Sequence, residues 1–147
     1  MERQYCASIF VIDENNKLLL MYNKKLDMWL QPGGHIDGNE LPHETAIREC
    51  KEETGLDVKI INKYKSVNPN PMFIEHYINN VGDMVDIQYY GVPLNNELIN
   101  SEDNKTGWFS LDEEKNMNID KEIINKHKAF IESKGNYEFI WIWRKII

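Results

Sequence analysis

The sequence predicts an α/β class in which a mixed β-sheet lies between helices. Three observations carry this. Runs rich in β-branched and aromatic residues recur from the N-terminus to about residue 110. Two segments, Pro42–Thr54 and 120–134, instead repeat apolar residues at helical spacing. The order is strands, helix, strands, helix, without an internal repeat, low-complexity tract or linker. At 147 residues the chain reads as one domain, long enough to bury a core.

Taken in order, residues 5–12 read as a buried strand, 13–16 as a turn cluster and 17–22 as the returning strand. Residues 23–27 form a polar loop carrying Lys24 and Lys25. Met28-Trp29-Leu30-Gln31 leads into Pro32-Gly33-Gly34, where the chain must bend. Pro42–Thr54 suits a helix: Pro42 fits the first helical position, where a missing N–H costs nothing, and Gly55 fits the left-handed stop. Leu41 stands at the N-cap, where Ser, Thr or Asp is usual. Residues 58–64 read as a further strand, and Asn68-Pro69-Asn70-Pro71 as a rigid surface loop. Residues 72–78 and 84–92 flank the turn 79–83 and read as a hairpin.

A polar loop, 93–105, holds Glu97, Glu102 and Asp103. Trp108-Phe109-Ser110 is short and extended, with Ser110 placed to cap 111–114. In 120–134, Ile123, Ile124, His127, Phe130 and Ile131 share a helical stripe, and Gly135 ends it. The tail 137–147, YEFIWIWRKII, is too apolar to rest in water comfortably. It reads as a strand or arm on the domain's own edge, with a homodimer contact as the alternative.

A net charge of -7 argues against binding to a nucleic-acid backbone, so DNA is not an expected partner. It leaves a small nucleotide open, because divalent ions bridge carboxylates and phosphates. Cys6 and Cys50 read as free thiols in a reducing cytosol. The N-terminal stretch is too short and acidic for a signal peptide, and no run approaches the roughly 20 apolar residues of a membrane span. The expectation is a cytoplasmic protein that does not contact membrane.

The densest chemistry lies in 33–56. Glu49, Glu52 and Glu53 stand at i, i+3 and i+4 and share one helix face. Ala46, Ile47, Cys50 and Thr54 fall on another, turned by roughly 120° if each residue advances about 100°. Like charges this close cost a helix roughly a few tenths of a kcal/mol per pair. Keeping them together suits a cation, and oxygen-only ligands select a hard ion such as Mg²⁺.

Gly34, five residues, Glu40, seven residues, then Arg48-Glu49-Cys50-Lys51-Glu52-Glu53-Thr54-Gly55-Leu56 resembles the signature of the Nudix hydrolases position for position. Cys50 departs softly, standing where the family usually has an aliphatic residue, and it is small and apolar enough to pack there. The leading strands, the box and Trp108-Phe109-Ser110-Leu111-Asp112 follow the family's order, so the resemblance covers most of the chain. It implies the Nudix α/β/α sandwich. It also implies that Glu49, Glu52, Glu53 and the backbone carbonyl of Gly33 hold the metal, Mg²⁺ or alternatively Mn²⁺. Arg48 would hold a catalytic glutamate in place, and Glu40 would support loop and helix.

The base is first Glu49, with Glu102 as an alternative base or extra ligand. Glu97 and Asp103 compete with it, and solvated loop charges are the plainer reading of all three. Lys24, Trp29 and His35 are the candidate substrate contacts, against a solvated loop for Lys24, core packing for Trp29 and a plain loop residue for His35. Tyr22, Phe73, Tyr77, Tyr89 and Trp108 can stack on a base or fill the core; Asp86 and Gln88 can face a pocket; His43 reads as exposed in the first turn. The expected activity is Mg²⁺-dependent cleavage of the diphosphate in a nucleoside diphosphate derivative, either a nucleoside triphosphate or a nucleotide sugar such as ADP-ribose. The rival is a non-catalytic Nudix module that binds a nucleotide as regulatory ligand.

Overall fold

The computed structural model describes residues 2–62, 67–80, 82–100 and 105–133. The 137–147 tail and Glu102 lie outside the described residues, as do 63–66, so the expected strand 58–64 is described only over Val58–Ile61.

β1 (Arg3–Val11) occupies the middle of a five-stranded mixed sheet. It runs parallel to β7 (Asp83–Pro93) and antiparallel to the short β4 (Gly33–His35). β5 (Val58–Ile61) and β6 (Phe73–Ile78) both pair antiparallel with β7, end to end along it: Ile61 faces Tyr90, and Phe73 faces Gln88. The expected hairpin at 72–92 is therefore β6 and β7. A second, three-stranded sheet joins β2 (Leu18–Asn23) to β3 (Met28–Leu30) and to β8 (Thr106–Phe109).

Two local readings need correction. The strands at 5–12 and 17–22 share only the bridge Ile12–Leu18 and then part into different sheets. Both edges of β1 are already taken by β4 and β7, leaving none for β2. The bend at Gly33-Gly34 is a strand, with Gly33 opposite Ser8 and Gly34 opposite Ala7. A Cβ on Gly33 would come within 2.6 Å of the Ala7 carbonyl oxygen and 2.5 Å of the Ser8 Cβ, so that pairing needs glycine.

Helices cover both faces of the large sheet. Ala46 and Cys50 of α1 (Pro42–Thr54) pack with Ala7, Ile9, Val11 and Tyr89. On the opposite face Phe10 and Tyr90 meet Ile123 and Phe130 of α3 (Lys121–Glu132), where the Tyr90 and Phe130 rings lie 4.9 Å apart. The layers are thus α/β/α. Ser110 caps the short α2 (Leu111–Glu114) in both directions, taking the Glu113 N–H at 3.2 Å while Glu113 takes the Ser110 N–H at 3.1 Å. His127, in the apolar stripe of α3, is buried as a polar tie. Its Nδ1 meets Glu114 at 2.7 Å, and its Nε2–H meets the Asn16 carbonyl at 2.7 Å. No helix among the described residues is long and apolar enough to cross a membrane.

Candidate active site

The fold sets β4 beside the first helix, so that 33–56 closes on itself. At the helix start Leu41 has no acceptor to offer; Glu44 reaches back instead and takes the Leu41 N–H at 2.9 Å. His43, expected to be exposed, is half-buried. At the far end Gly55 has φ +81° and donates its N–H to the Lys51 carbonyl at 2.9 Å, closing the helix as expected.

Arg48 is the hub. Its Nε and Nη2 donate to the two oxygens of Glu40 at 2.6 and 3.0 Å, a bidentate fork. Nη1 reaches Glu49 at 3.1 Å and Glu52 at 3.1 and 3.2 Å. Nη2 also lies 3.2 Å from Asp37, a partner the spacing gave no sign of because it sits in the loop between the glycines and the helix. Glu40 in turn accepts the Thr45 hydroxyl at 2.6 Å. The guanidinium, with that hydroxyl, holds the Glu40 carboxyl at about 2, well below its ordinary value.

Glu53 turns the other way and accepts the Gly33 N–H at 2.9 Å. Burial, opposed by that hydrogen bond and reinforced by Glu49 and Glu52, pushes its carboxyl up to about 7. Gly34 lies against Glu49: a Cβ there would fall 2.5 to 2.9 Å from the carboxyl group. Thus Glu49 and Glu52 meet on one nitrogen, Glu53 is tied to β4, and the missing side chain at Gly34 leaves room for the Glu49 carboxyl against the strand.

A hard divalent ion suits this donor set of three carboxylates on one helix edge beside a bare glycine backbone. Among the described residues no three acidic, His or Cys side chains are gathered as a finished cage. Arg48 Nη1 supplies positive charge between Glu49 and Glu52 and engages only Oε1 of Glu49. Gly33 shows a link to Glu53 through its N–H.

The candidate substrate contacts are scattered. His35 is exposed at the end of β4 and its Nε2 lies 2.7 Å from Gln4 Oε1. Trp29 is half-buried in an aromatic row, 5.5 Å from the Tyr22 ring and 5.0 Å from that of Phe109. Lys24 is exposed in the β2–β3 turn. The described part of the 93–105 loop touches the helix end through Ile99, whose N–H donates to the Thr54 carbonyl at 2.9 Å.

A family model described as NUDIX domain matches residues 2–130. A putative 8-oxo-dGTP diphosphatase of Bacillus subtilis is 37% identical over 57 residues, covering 39% of this chain and only 38% of that relative's length. An ADP-ribose pyrophosphatase of Methanocaldococcus jannaschii is 28% identical over 123 residues, covering 79% of this chain and 68% of that one. Among solved structures, a hydrolase of the NUDIX family from Clostridium perfringens superposes with a TM-score of 0.74 at 28% identity, covering 90% of this chain and 98% of that chain.

Proposed function

The chain belongs to the Nudix family, and we propose that it is a divalent-metal-dependent pyrophosphohydrolase of nucleoside diphosphate derivatives. The observation that carries this is the Arg48 hub, which joins Glu40, Glu49 and Glu52 beside a glycine strand that itself holds Glu53. In this reading Glu49, Glu52, Glu53 and the Gly33 carbonyl hold Mg²⁺, or alternatively Mn²⁺. When bound, the ion supplies charge that neutralises phosphate oxygens and acidifies a water.

The chain's own groups do the rest. Glu40 anchors Arg48 from the loop, and Arg48 fixes Glu49 and Glu52 on one edge. Glu49 takes the proton of the attacking water, and Glu102 is the second candidate for that role. Gly33 lets β4 pair closely with β1, and Gly34 leaves room for the Glu49 carboxyl beside that strand. His35 and Lys24 are proposed to contact the phosphates and Trp29 the base. The two free cysteines, both with thiols pushed up to about 11 chiefly by burial, suit a reducing cytoplasm.

The substrate class includes nucleoside triphosphates, such as the 8-oxo-dGTP in the Bacillus relative's name, and nucleotide sugars, such as the ADP-ribose in the archaeal one's. The test is kcat of Glu52→Gln and Glu53→Gln. Each is expected to fall by about 100-fold or more while melting remains cooperative. Undiminished kcat in a folded variant removes that residue from the metal set.

A further inference from the structure

On the face of the large sheet turned away from α1, strand register sets polar side chains level with one another. Ser8 stands opposite both Gly33 and Gln88, and Asp86 opposite Glu75. These groups form a chain whose polarity is fixed from one end. Lys126, 5% exposed, has only hydrogens to give, and it gives them to Glu75 at 2.8 Å and to Gln88 Oε1 at 2.6 Å. The Gln88 amide is thereby oriented, and its Nε2 donates to Asp86 Oδ2 at 2.9 Å and to the Tyr77 hydroxyl at 3.3 Å. Ser8 gives its one hydroxyl hydrogen to that same Asp86 Oδ2 at 2.8 Å. Its oxygen can then only accept from Gln31, whose Nε2 lies 3.2 Å away. Flipping the Gln88 amide would set its NH₂ against the Lys126 ammonium, and flipping Gln31 would set its oxygen against the Ser8 oxygen.

Two acceptors are left over. Gln31 Oε1 and Asp86 Oδ1 are buried with no hydrogen-bond partner among the described residues. Such atoms in a folded protein call for a donor from elsewhere. Asp86 is 9% exposed, and Gln88 is fully buried. Gln31 is half-buried, so the chain of groups ends toward the surface two residues before Gly33, the glycine that precedes the box. Tyr77 and Phe73 stand on the same face from β6.

We propose that Gln31 and Asp86 form the acceptor pair of a base-recognition subsite that takes a nucleobase edge with two neighbouring N–H donors, the ring N–H and 2-amino group of a guanine-type base. This deepens the pyrophosphohydrolase reading and rests on it, since the subsite adjoins the box at Gly33. Ser8, Gln88 and Lys126 are positioning residues, fixing which oxygen of Asp86 and of Gln31 is left without a donor.

The test compares kcat/KM for GTP, ITP and ATP with Mg²⁺, and Kd for GMP, IMP and AMP by calorimetry on the metal-free protein. ITP and IMP lack only the 2-amino group. The wild type is expected to prefer guanine over hypoxanthine by at least about tenfold, through KM and Kd rather than kcat. In Asp86→Asn the amide oxygen must sit where Ser8 and Gln88 donate, which puts NH₂ where Oδ1 was; the preference for guanine should vanish or reverse. Gln31→Leu, at the half-buried end, should remove the preference with little change in Tm, and covers the case in which Asp86→Asn fails to fold. If all three triphosphates are cut equally well and the monophosphates bind alike, the subsite falls while the hydrolase reading stands. If none is cut but GMP still binds at least about tenfold more tightly than IMP, the subsite stands and the hydrolase reading falls. Neither cleavage nor selective binding overturns the subsite.

Discussion

Arg48 grips both oxygens of Glu40, at 2.6 Å through Nε and 3.0 Å through Nη2, and keeps Nη1 for Glu49 and Glu52. One planar side chain thus ties the loop before the helix to two carboxylates on it. Lysine carries the same charge on a single nitrogen and cannot serve both ends. Arg48→Lys is expected to lower kcat by about 10- to 100-fold with Tm only slightly reduced. Steady-state kinetics beside a melting curve checks this; unchanged kcat would mean the fork does not position the carboxylates.

The same pair sets a pH dependence. Arg48 holds the folded-state Glu40 carboxyl at about 2, against an ordinary 4.5. A depressed folded-state value means the charged form favours folding, so its contribution is present above about 4.5 and is lost as pH falls toward about 2. The Tm difference between the wild type and Glu40→Gln should therefore be largest near neutrality and shrink across that window. A difference that stays constant over the same range contradicts the linkage.

Gly34 and Gly55 both close the box, yet for different reasons, and their alanine variants should separate. At Gly34 the added Cβ meets the flexible end of Glu49, at 2.5 to 2.9 Å, which can swing away. Gly34→Ala is expected to keep its fold and lose most of its kcat. Gly55 has φ +81°, and a Cβ there would also strike Ile99 at 2.6 Å. Gly55→Ala should cost at least about 1–2 kcal/mol of stability, readable in urea unfolding. Equal effects of the two on kcat and on stability would contradict this division.

Bound cation should relieve the repulsion among Glu49, Glu52 and Glu53. Mg²⁺ is expected to raise Tm by a few degrees in the wild type and much less in Glu53→Gln. A thermal melt with Mg²⁺ and with EDTA reads this directly. Equal shifts in both proteins would place the ion elsewhere.

Most of this was legible where a single element carries the signal. Pro42 and Gly55 bound α1 as read, because cap chemistry is local to a turn. Ser110 and the hairpin at 72–92 followed for the same reason. The hidden features are those in which distant residues meet. The split of β1 from β2 depends on β4 and β7 taking both edges of β1, which no local pattern announces. The Glu49–Glu52–Glu53 face was readable, and the family resemblance set Arg48 to hold a glutamate, but not that Arg48 takes Glu40, Glu49 and Glu52 at once while the Gly33 N–H takes Glu53. Asp86 and Gln88 could be noted as alternating polar residues in a strand. Their link to Lys126, 38 residues beyond Gln88, appears only when α3 is folded over the sheet.

The most direct test of the central claim is release of nucleoside monophosphate, phosphate or pyrophosphate from a panel of nucleotide sugars and nucleoside triphosphates, each with Mg²⁺ and with EDTA. The account predicts cleavage of at least one class, abolished by EDTA. Silence across the panel, with nucleotide still raising Tm, would contradict a hydrolase and leave a module that only binds.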